Sequence, residues 1–257
     1  MSPLEFVTSL AREAGRFQLS RLHSTLTIER KVQDTNLITE VDRHIDDLIV
    51  GALRQQFGAQ AIVSEEGNVI SSGTDDVWYV DPLDGTTNYA HAYPIFAVSI
   101  ALSHHGQVVL GVVYDANRDE LFCAERGAGA FVNGERLRVS TTAALQRALV
   151  STGFPYDRTT NPDNNFAQFA RISRRAQGVR RGGSAAMDMA YVAAGRLDGH
   201  WERGLGPWDC AAASLLIEEA GGRITGLQGE AWSPLSQWTV ATNGTIHGEL
   251  LNAMRDA

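Results

Sequence analysis

Hydrophobic positions near the start of the chain recur at helical spacing in two separate stretches. Ser2-Pro3-Leu4-Glu5 forms a capping box with proline at the first helical position, and apolar residues then follow every three or four positions. This pattern predicts a helix from about residue 3 to 22. A second amphipathic pattern begins after Thr39, a suitable N-cap, and continues to Phe57. Between the two, residues 25–38 predict an extended or looped connector.

The middle of the chain carries short apolar runs instead of helical periodicity. Residues 61–64 and 77–80 each form such a run and end in acidic residues, which predicts two strands that deliver carboxylates to loops. Alternating residues and turn signals beyond Phe96 predict further strands at 98–102, 108–114, 120–124, 130–132 and 136–139. Asn133-Gly134 is the signal for a type I′ hairpin, so we predict an antiparallel meander.

Beyond about residue 145, strand and helix patterns alternate. Strands are predicted at 147–152, 197–201, 223–225 and 238–242, and helices at 161–175, 184–194, from Pro207 to the glycines at 221–222, and from Thr245 onward. Such alternation is typical of a layered α/β arrangement. We therefore predict an N-terminal half of residues 1–145 and a C-terminal half of residues 146–257 that share one cleft.

Composition narrows the classes of function. The 257 residues are 44% hydrophobic and 20% charged, as in an ordinary globular protein, and the net charge of −8 argues against a nucleic-acid surface. Charged residues in the first helix speak against a signal peptide and no apolar run is long enough to span a membrane, so we expect a cytoplasmic protein. Cys123 and Cys210 lie far apart without metal-ligand spacing, which favours buried free thiols over a disulfide or a zinc site.

The stretch from Trp78 to Asn88 combines several features of a catalytic site. An apolar strand ends there in Asp81 and Asp84. Pro82 biases Asp81 toward an extended conformation, while Asp84 falls past the bend, so both carboxylates can face one point. Gly85 and the two threonines after it offer backbone amides to an anion if a short helix starts there. Two acids and a set of amides suit a hard cation that holds a phosphate, although the same residue types also make an ordinary turn.

Further candidate groups are spread along the chain. Glu65 ends an apolar strand, Asp209 lies at the start of a helix, and Asp42 follows the N-cap Thr39 by three residues. Each also has a simpler possible role: Glu65 as part of a surface turn, Asp209 as a charge that complements the helix dipole, and Asp42 as a capping group. Lys31 would by default be solvated. Because every proposed ligand is an oxygen, Mg²⁺, or Mn²⁺ in its place, suits the set better than zinc.

Three ordered motifs together resemble the inositol monophosphatase family of lithium-sensitive, magnesium-dependent sugar phosphatases. These are Glu65-Glu66-Gly67, Asp81-Pro82-Leu83-Asp84-Gly85-Thr86-Thr87-Asn88, and Trp208-Asp209-Cys210-Ala211-Ala212 followed by Glu218-Glu219-Ala220-Gly221-Gly222. The resemblance spans nearly the whole chain. It implies an α/β protein built as a five-layered αβαβα sandwich, with an antiparallel sheet in the N-terminal half and a mixed sheet in the C-terminal half. It also implies a homodimer that hydrolyses a phosphate monoester.

The resemblance also implies a role for each matching residue. Two or three Mg²⁺ ions are expected on Glu65, Asp81, the backbone oxygen of Leu83, Asp84 and Asp209. Thr86, supported by Glu65 and Asp42, corresponds to the residue that orients the attacking water. The remaining catalytic candidate is Lys31, near Asn36, which stands where the family often has aspartate. Substrate contacts are expected from Asp84, Gly85, Thr86, Gly183, Ser184, Ala185, Glu202 and Asp209.

The substrate implied by the resemblance is a small phosphorylated polyol. The run Asp-Gly-Thr-Thr-Asn favours the inositol type, because relatives that act on nucleotide phosphates usually carry lysine after Gly-Thr. Histidinol-phosphatase and fructose-1,6-bisphosphatase activity on the same scaffold stay open as alternatives. A regulatory protein that binds the transcription machinery is an alternative of a different class.

Overall fold

The computed structural model describes residues 1–30, 37–58, 60–67, 69–70 and 74–255. The predictions for Lys31 and Asn36 therefore lie outside the described residues. Two long helices form the outer layer on one side, α1 (Pro3–Arg21) and α2 (Glu40–Phe57), as predicted. Each starts with the expected capping box, on Ser2 and on Thr39. The connector between them contains an antiparallel ribbon of β1 (Ile28–Arg30) and β2 (Leu37–Thr39).

The second layer is a sheet that has eight strands within the described residues, in the order β10-β9-β8-β7-β6-β5-β3-β4. Its strands are β3 (Ala61–Ser64), β4 (Val69–Ile70), β5 (Asp76–Asp84), β6 (Ala97–His104), β7 (Gln107–Asp115), β8 (Glu120–Glu125), β9 (Gly129–Val132) and β10 (Glu135–Arg136). Strands β6 to β10 form the predicted antiparallel meander, and β5 pairs antiparallel with β6 as well. Because β3 and β5 are parallel and Ser64 pairs with Val80, the next residues Glu65 and Asp81 lie at the same edge of the sheet.

The middle layer consists of α5 (Ala185–Ala193) and α6 (Pro207–Glu219), which contact each other and strands of both sheets. Residues 210–217 of α6 are all buried, as expected for a helix covered on every side. Gly111 in β7 allows α6 to approach closely, because a Cβ atom there would lie 2.5 Å from the carbonyl oxygen of Ala212. The helices of this layer therefore carry residues to a point between the two sheets.

The second sheet is mixed and has the order β12-β11-β13-β15-β14 within the part of the chain that is described. Its strands are β11 (Leu149–Thr152), β12 (Gly178–Arg180), β13 (Gly199–Arg203), β14 (Arg223–Thr225) and β15 (Trp238–Thr242). The opposite outer layer is α4 (Phe166–Ser173) and α7 (His247–Arg255), and the short α3 (Thr86–Ala90) follows β5. The predicted five-layered αβαβα sandwich is confirmed. The division into halves at residue 145 stays a prediction.

Several predicted boundaries are wrong, and in each case polar contacts explain the shift. The strand predicted at 197–201 starts two residues later, because Asp198 accepts hydrogen bonds from the Leu149 amide and the Ser140 hydroxyl and so belongs to a turn. The strand predicted at 136–139 ends at Arg136, and the Val139 amide donates instead to the carbonyl at the end of α6.

Other elements are shorter than predicted. The strand predicted from residue 147 begins at 149, because residues 145–147 form a turn of 3₁₀ helix. The helix predicted for 161–175 is reduced to α4, since Asn165 uses its side-chain amide to bond the Gly153 carbonyl. Helix α7 begins at His247 rather than at Thr245. Strand β12 was not predicted, because its three residues show no strand alternation.

Two further findings concern the cysteines and the membrane. Cys123 and Cys210 are both free thiols, as predicted, but only Cys210 is fully buried. The described helices include none that is long and apolar enough to cross a bilayer.

Candidate functional site

A cleft of about 620 Å³ opens where the two sheets and α6 meet. The acidic residues that line it include Glu65, Asp81, Asp84 and Asp209, which come from three different segments of the chain. Asp81, Asp84 and Asp209 can each place one carboxylate oxygen within 4.8 Å of the others. The acids that the sequence singled out far apart in the chain thus converge in one site.

The end of β5 presents Asp81 and Asp84 in one short segment. Pro82 lacks an amide proton, and the pairing of β5 with β6 shifts register between the two acids. The Leu83 amide donates to Asp81 Oδ1 at 2.9 Å, and the buried Gln18 side chain of α1 donates to the Pro82 carbonyl at 2.9 Å. Asp84 is still the last residue of β5, so the expectation that it falls past the bend is wrong. The irregular strand itself turns both carboxylates toward the cleft.

Asp209 enters the site from the first turn of α6. Its Oδ2 accepts a hydrogen bond of 2.7 Å from the Gly206 amide, so the simpler capping role is also real. The Ser99 hydroxyl of β6 donates to the carbonyl of Trp208 at 2.9 Å and fastens this helix start to the first sheet. The Asp209 side chain therefore caps α6 and at the same time contributes a carboxylate to the cleft.

Burial and the charges of neighbouring acids raise the pKa values of these three carboxyl groups, which a bound cation would offset. Burial, then the charges of Glu65, Asp84 and Asp209, raise the pKa of Asp81 well above its usual range, and burial with neighbouring acids does the same to the pKa of Asp209. Burial also raises the pKa of Asp84 to about 7, against the opposing effect of two hydrogen bonds. The atoms that these residues offer to a metal ion are all oxygens, which fits Mg²⁺.

Glu65 lies in the loop after β3 and lines the same cleft, outside the tight group of three. Its charge helps to raise the pKa values of Asp81, Asp84 and Asp209. The preceding Ser64 donates its hydroxyl to Asp46 of α2, which anchors the start of this loop.

Thr86 and Asp42 form a pair at the back of the cleft. Thr86 Oγ1 lies 3.0 Å from Asp42 Oδ1 and 3.1 Å from the carbonyl oxygen of Leu83, and its single proton can serve one of them at a time. Asp42 Oδ2 accepts from the amide and the hydroxyl of Thr39, at 2.8 and 2.5 Å. Burial raises the pKa of Asp42. Asp42 therefore caps α2 and holds the threonine at the same time.

The loop that carries Gly183, Ser184 and Ala185 is tied to the acidic segment by direct contacts. The Ser184 hydroxyl and the Ala186 amide both donate to Asp84 Oδ2, at 2.6 and 2.7 Å. The Ser184 hydroxyl, which sequence reasoning assigned to the substrate, is therefore used by Asp84. All three loop residues, and Gly85 and Glu202 as well, line the cleft.

Asn88 is a site residue whose role sequence reasoning missed. Its amide donates to the carbonyls of Ile95 and Gly182, at 2.7 and 2.9 Å, and so links the first sheet to the loop before α5. Gly183 has a φ of +87°, and a Cβ atom there would lie 2.9 Å from this amide. The position of Asn88 directly after Gly-Thr-Thr was the available signal. Tyr156, Arg158, Arg181 and Asp188 also line the cleft, and the sequence offered no comparable signal for them.

The αβαβα fold and its oxygen-lined cleft together define a scaffold for metal-dependent phosphate-ester chemistry. The sequence model of the inositol monophosphatase family matches residues 2–257. The chain belongs to this family, whose phosphatases depend on magnesium.

Individual relatives match most of the chain and differ in the role that their names state. An inositol-1-monophosphatase of Synechocystis is 42% identical over 255 residues, which cover 98% of this chain and 88% of that protein. The Nus factor SuhB of Pseudomonas aeruginosa is 44% identical over 234 residues, covering 88% and 86% of the two chains. The solved inositol monophosphatase of Anabaena is 40% identical with a TM-score of 0.89, covering 98% and 94%.

Proposed function

We propose that this phosphatase hydrolyses inositol 1-phosphate. The observation that supports this most strongly is the group of three buried carboxylates within 4.8 Å of one another, next to a loop and a strand that reach the same cleft from the other sheet. The 42% identity to an inositol-1-monophosphatase across almost the whole chain supports the choice of substrate.

Asp81, Asp84, Asp209, Glu65 and the carbonyl oxygen of Leu83 are the groups that would hold Mg²⁺. When bound, the metal supplies positive charge to the phosphate oxygens and the leaving oxygen and lowers the pKa of water. The chain's own contribution is to hold the ligands in place before the metal arrives. Hydrogen bonds from Leu83, Ser184 and Gly206 already orient one oxygen of Asp81, Asp84 and Asp209, respectively. A second oxygen of each carboxylate then stays available for the cation.

Thr86 and Asp42 would orient the attacking water. Because Asp42 can accept the proton of the Thr86 hydroxyl, the oxygen of that hydroxyl keeps lone pairs that can accept a hydrogen bond from water. Glu65, which lines the same cleft, would provide a second acceptor for this water. The amides at the start of α3, at Gly85 and Thr86, have no partner within the helix and would bind phosphate oxygens.

The choice of Mg²⁺ and Mn²⁺ rests on the oxygen ligands, and that of Li⁺ as an inhibitor rests on the family resemblance. We propose two to three Mg²⁺ ions, replacement by Mn²⁺ with retained activity, and inhibition by Li⁺. Ca²⁺, which is larger and accepts irregular coordination, should occupy the site without supporting turnover. The homodimer implied by the family resemblance stays a prediction.

A panel of phosphate esters tests the choice of substrate. With saturating Mg²⁺, the specificity constant kcat/KM for inositol 1-phosphate should exceed those for fructose 1,6-bisphosphate, histidinol phosphate and glycerol 2-phosphate. Phosphate release measured at several concentrations of each ester gives the comparison, with excess EDTA as the blank. A higher kcat/KM for the bisphosphate or for histidinol phosphate would replace the proposed substrate by that compound.

Replacing Glu202 by alanine tests whether the substrate is a ring polyol. Glu202 lines the cleft from β13, on the sheet opposite to Asp81, so it can accept hydrogen bonds from ring hydroxyls. Glu202→Ala should raise KM for inositol 1-phosphate about tenfold, the value of one hydrogen bond to a charged group. The KM for glycerol 2-phosphate, which is too short to reach Glu202, should barely change. Equal losses on both esters would instead mean that Glu202 supports the site structurally.

A role in transcription is a second candidate, favoured by the 44% identity to a Nus factor. The complete set of cleft carboxylates supports catalysis and is compatible with an additional binding role. A variant that binds no metal but keeps its fold would separate the two roles, because only the catalytic one depends on these acids.

A further inference from the structure

His200 is a fully buried histidine directly behind the cleft. It lies on β13 two residues before Glu202, so the two side chains project from the same face of the strand. This face contacts α5, which carries Asp188. Strand β11 runs parallel beside it, with Ser151 paired to His200, and the same register brings Gly153 next to Glu202. His200 is therefore next to residues that line the cleft, but it does not line the cleft itself.

The two ring nitrogens of His200 face different partners. Nδ1 lies 3.0 Å from the Ser151 hydroxyl oxygen and 3.9 Å from Asp188 Oδ2. Nε2 faces Glu202 Oε2 at 3.5 Å and is buried with no hydrogen-bond partner among the described residues. A buried polar atom without a partner is costly, and here a carboxylate lies just beyond hydrogen-bond length.

Ser151 determines which nitrogen carries the proton. A hydroxyl can donate or accept, but donation from Ser151 to Nδ1 leaves fewer groups unsatisfied. The reverse direction would leave the hydroxyl proton without an acceptor in the described chain and would point the Nε2 lone pair at the Glu202 carboxylate. Nδ1 is then the acceptor, and the proton of the neutral ring is on Nε2, where it points toward Glu202. Asp188 competes weakly for Nδ1, because it is farther away and burial raises the pKa of its carboxyl to about 7.

The opposite side of Glu202 is closed by backbone. A Cβ atom on Gly153 would lie 1.9 Å from Glu202 Oε1, so only glycine leaves room for the carboxylate at this position. Glu202 is therefore confined between the Gly153 backbone and the His200 ring, and its remaining free direction is the cleft.

We propose that His200 is a positioning residue whose Nε2–H holds the Glu202 carboxylate toward the cleft, so that it can accept hydrogen bonds from the hydroxyls of a ring polyol phosphate. Ser151 sets the tautomer that makes this possible. The inference rests on the proposed function for its substrate class. It assigns to the buried Ser151–His200–Glu202 chain a role in distinguishing ring polyols from acyclic esters, separate from the metal ligands.

Two substitutions of His200 isolate the nitrogen that matters. The amide nitrogen of Gln can replace Nε2–H toward Glu202, whereas Asn reaches only the Ser151 side of the ring. His200→Asn should raise KM for inositol 1-phosphate about three- to tenfold with kcat nearly unchanged, and His200→Gln should recover most of that loss. The KM for glycerol 2-phosphate should stay the same in both variants. His247→Asn, which removes another buried histidine away from the cleft, is the matched control for destabilisation.

Equal changes in KM on both esters, or equal KM values for His200→Asn and His200→Gln on inositol 1-phosphate, would overturn the proposal. A second measurement does not depend on turnover, and its first part uses the wild-type protein alone. In wild-type protein labelled with ¹⁵N-histidine, NMR should show His200 with its proton on Nε2, and Glu202→Gln should shift that resonance. A proton on Nδ1, or no response to Glu202→Gln, would contradict the positioning role.

The two measurements also separate this inference from the proposed function. If the wild-type enzyme shows no preference for inositol 1-phosphate over glycerol 2-phosphate, the proposed substrate is wrong, and the NMR result alone decides on His200. If the preference is present and His200→Asn leaves it intact, the substrate stands and the positioning role is wrong.

Discussion

Asp81→Asn and Asp209→Asn should each reduce kcat at least about a thousandfold while the protein stays folded. Each change removes a negative charge that a cation would need, and neither removes an apolar contact. Asparagine keeps an oxygen for the amide bonds from Leu83 and Gly206. Because both acids are buried among other acids, loss of one charge should also raise the melting temperature of the metal-free protein.

The measurement is phosphate release at saturating Mg²⁺, together with thermal unfolding in EDTA. Asp198→Asn is the matched control, since it makes the same change at a buried acid that bonds Leu149 and Ser140 away from the cleft. This control should keep most of its activity. More than a tenth of wild-type activity in Asp81→Asn or Asp209→Asn would show that the metal assignment is wrong.

Without metal, the protein should lose stability as the pH rises from 6.5 to 8.5. Burial raises the pKa of Asp84 to about 7 from an ordinary value of 3.8, so the folded state binds more protons than the unfolded state. The stability that this protonation contributes is complete below about pH 4 and is lost as the pH rises through about 7. The raised pKa values of Asp81 and Asp209 act in the same direction. From Asp84 alone we expect a loss of about 1 kcal/mol over this range, which is roughly 2–4 °C in Tm, and Asp81 and Asp209 should add to it.

Thermal unfolding in EDTA and in excess Mg²⁺ at both pH values checks this. Mg²⁺ should stabilise the protein more at pH 8.5, where the carboxylates are ionised and repel one another. The range begins at pH 6.5 because burial lowers the pKa of His247 to about 4 from 6.5, so the stability gained as this histidine deprotonates arises mostly below pH 6.5 and opposes the predicted loss only weakly above it. Asp84→Asn should flatten the pH dependence in EDTA. A Tm in EDTA that increases with pH would contradict the prediction.

Local signals explain the parts of the fold that the sequence predicted well. The caps on Ser2 and Thr39 act within three residues of their helices, so both helix starts were readable from the chain alone. The hairpin at Asn133-Gly134 is equally local, and Asn133 does adopt a positive φ there. Asp81 and Asp84 were found because Pro82 follows the first and Gly85 follows the second, and both residue types interrupt regular strand structure.

Contacts between distant residues explain what the sequence did not predict. The start of β13 depends on Asp198, which bonds residues 49 and 58 positions away. Because β13 runs from Gly199 to Arg203 and not from 197 to 201, Glu202 lies inside the strand. Successive side chains of a strand point to opposite faces, so Glu202 faces α5 and the cleft while Trp201 faces the other way. Asn88 became interpretable only when its amide was found on the loop before α5, 94 residues further along the chain.

The amino-acid sequence by itself determined most of the elements, the family resemblance and the oxygen ligands suited to magnesium, because caps, turns and strand ends act over a few residues. Only the tertiary structure decided that Ser151, His200 and Glu202 form one chain behind the cleft. The register between β11 and β13 places them together, and that register depends on side chains far apart in sequence packing against one another.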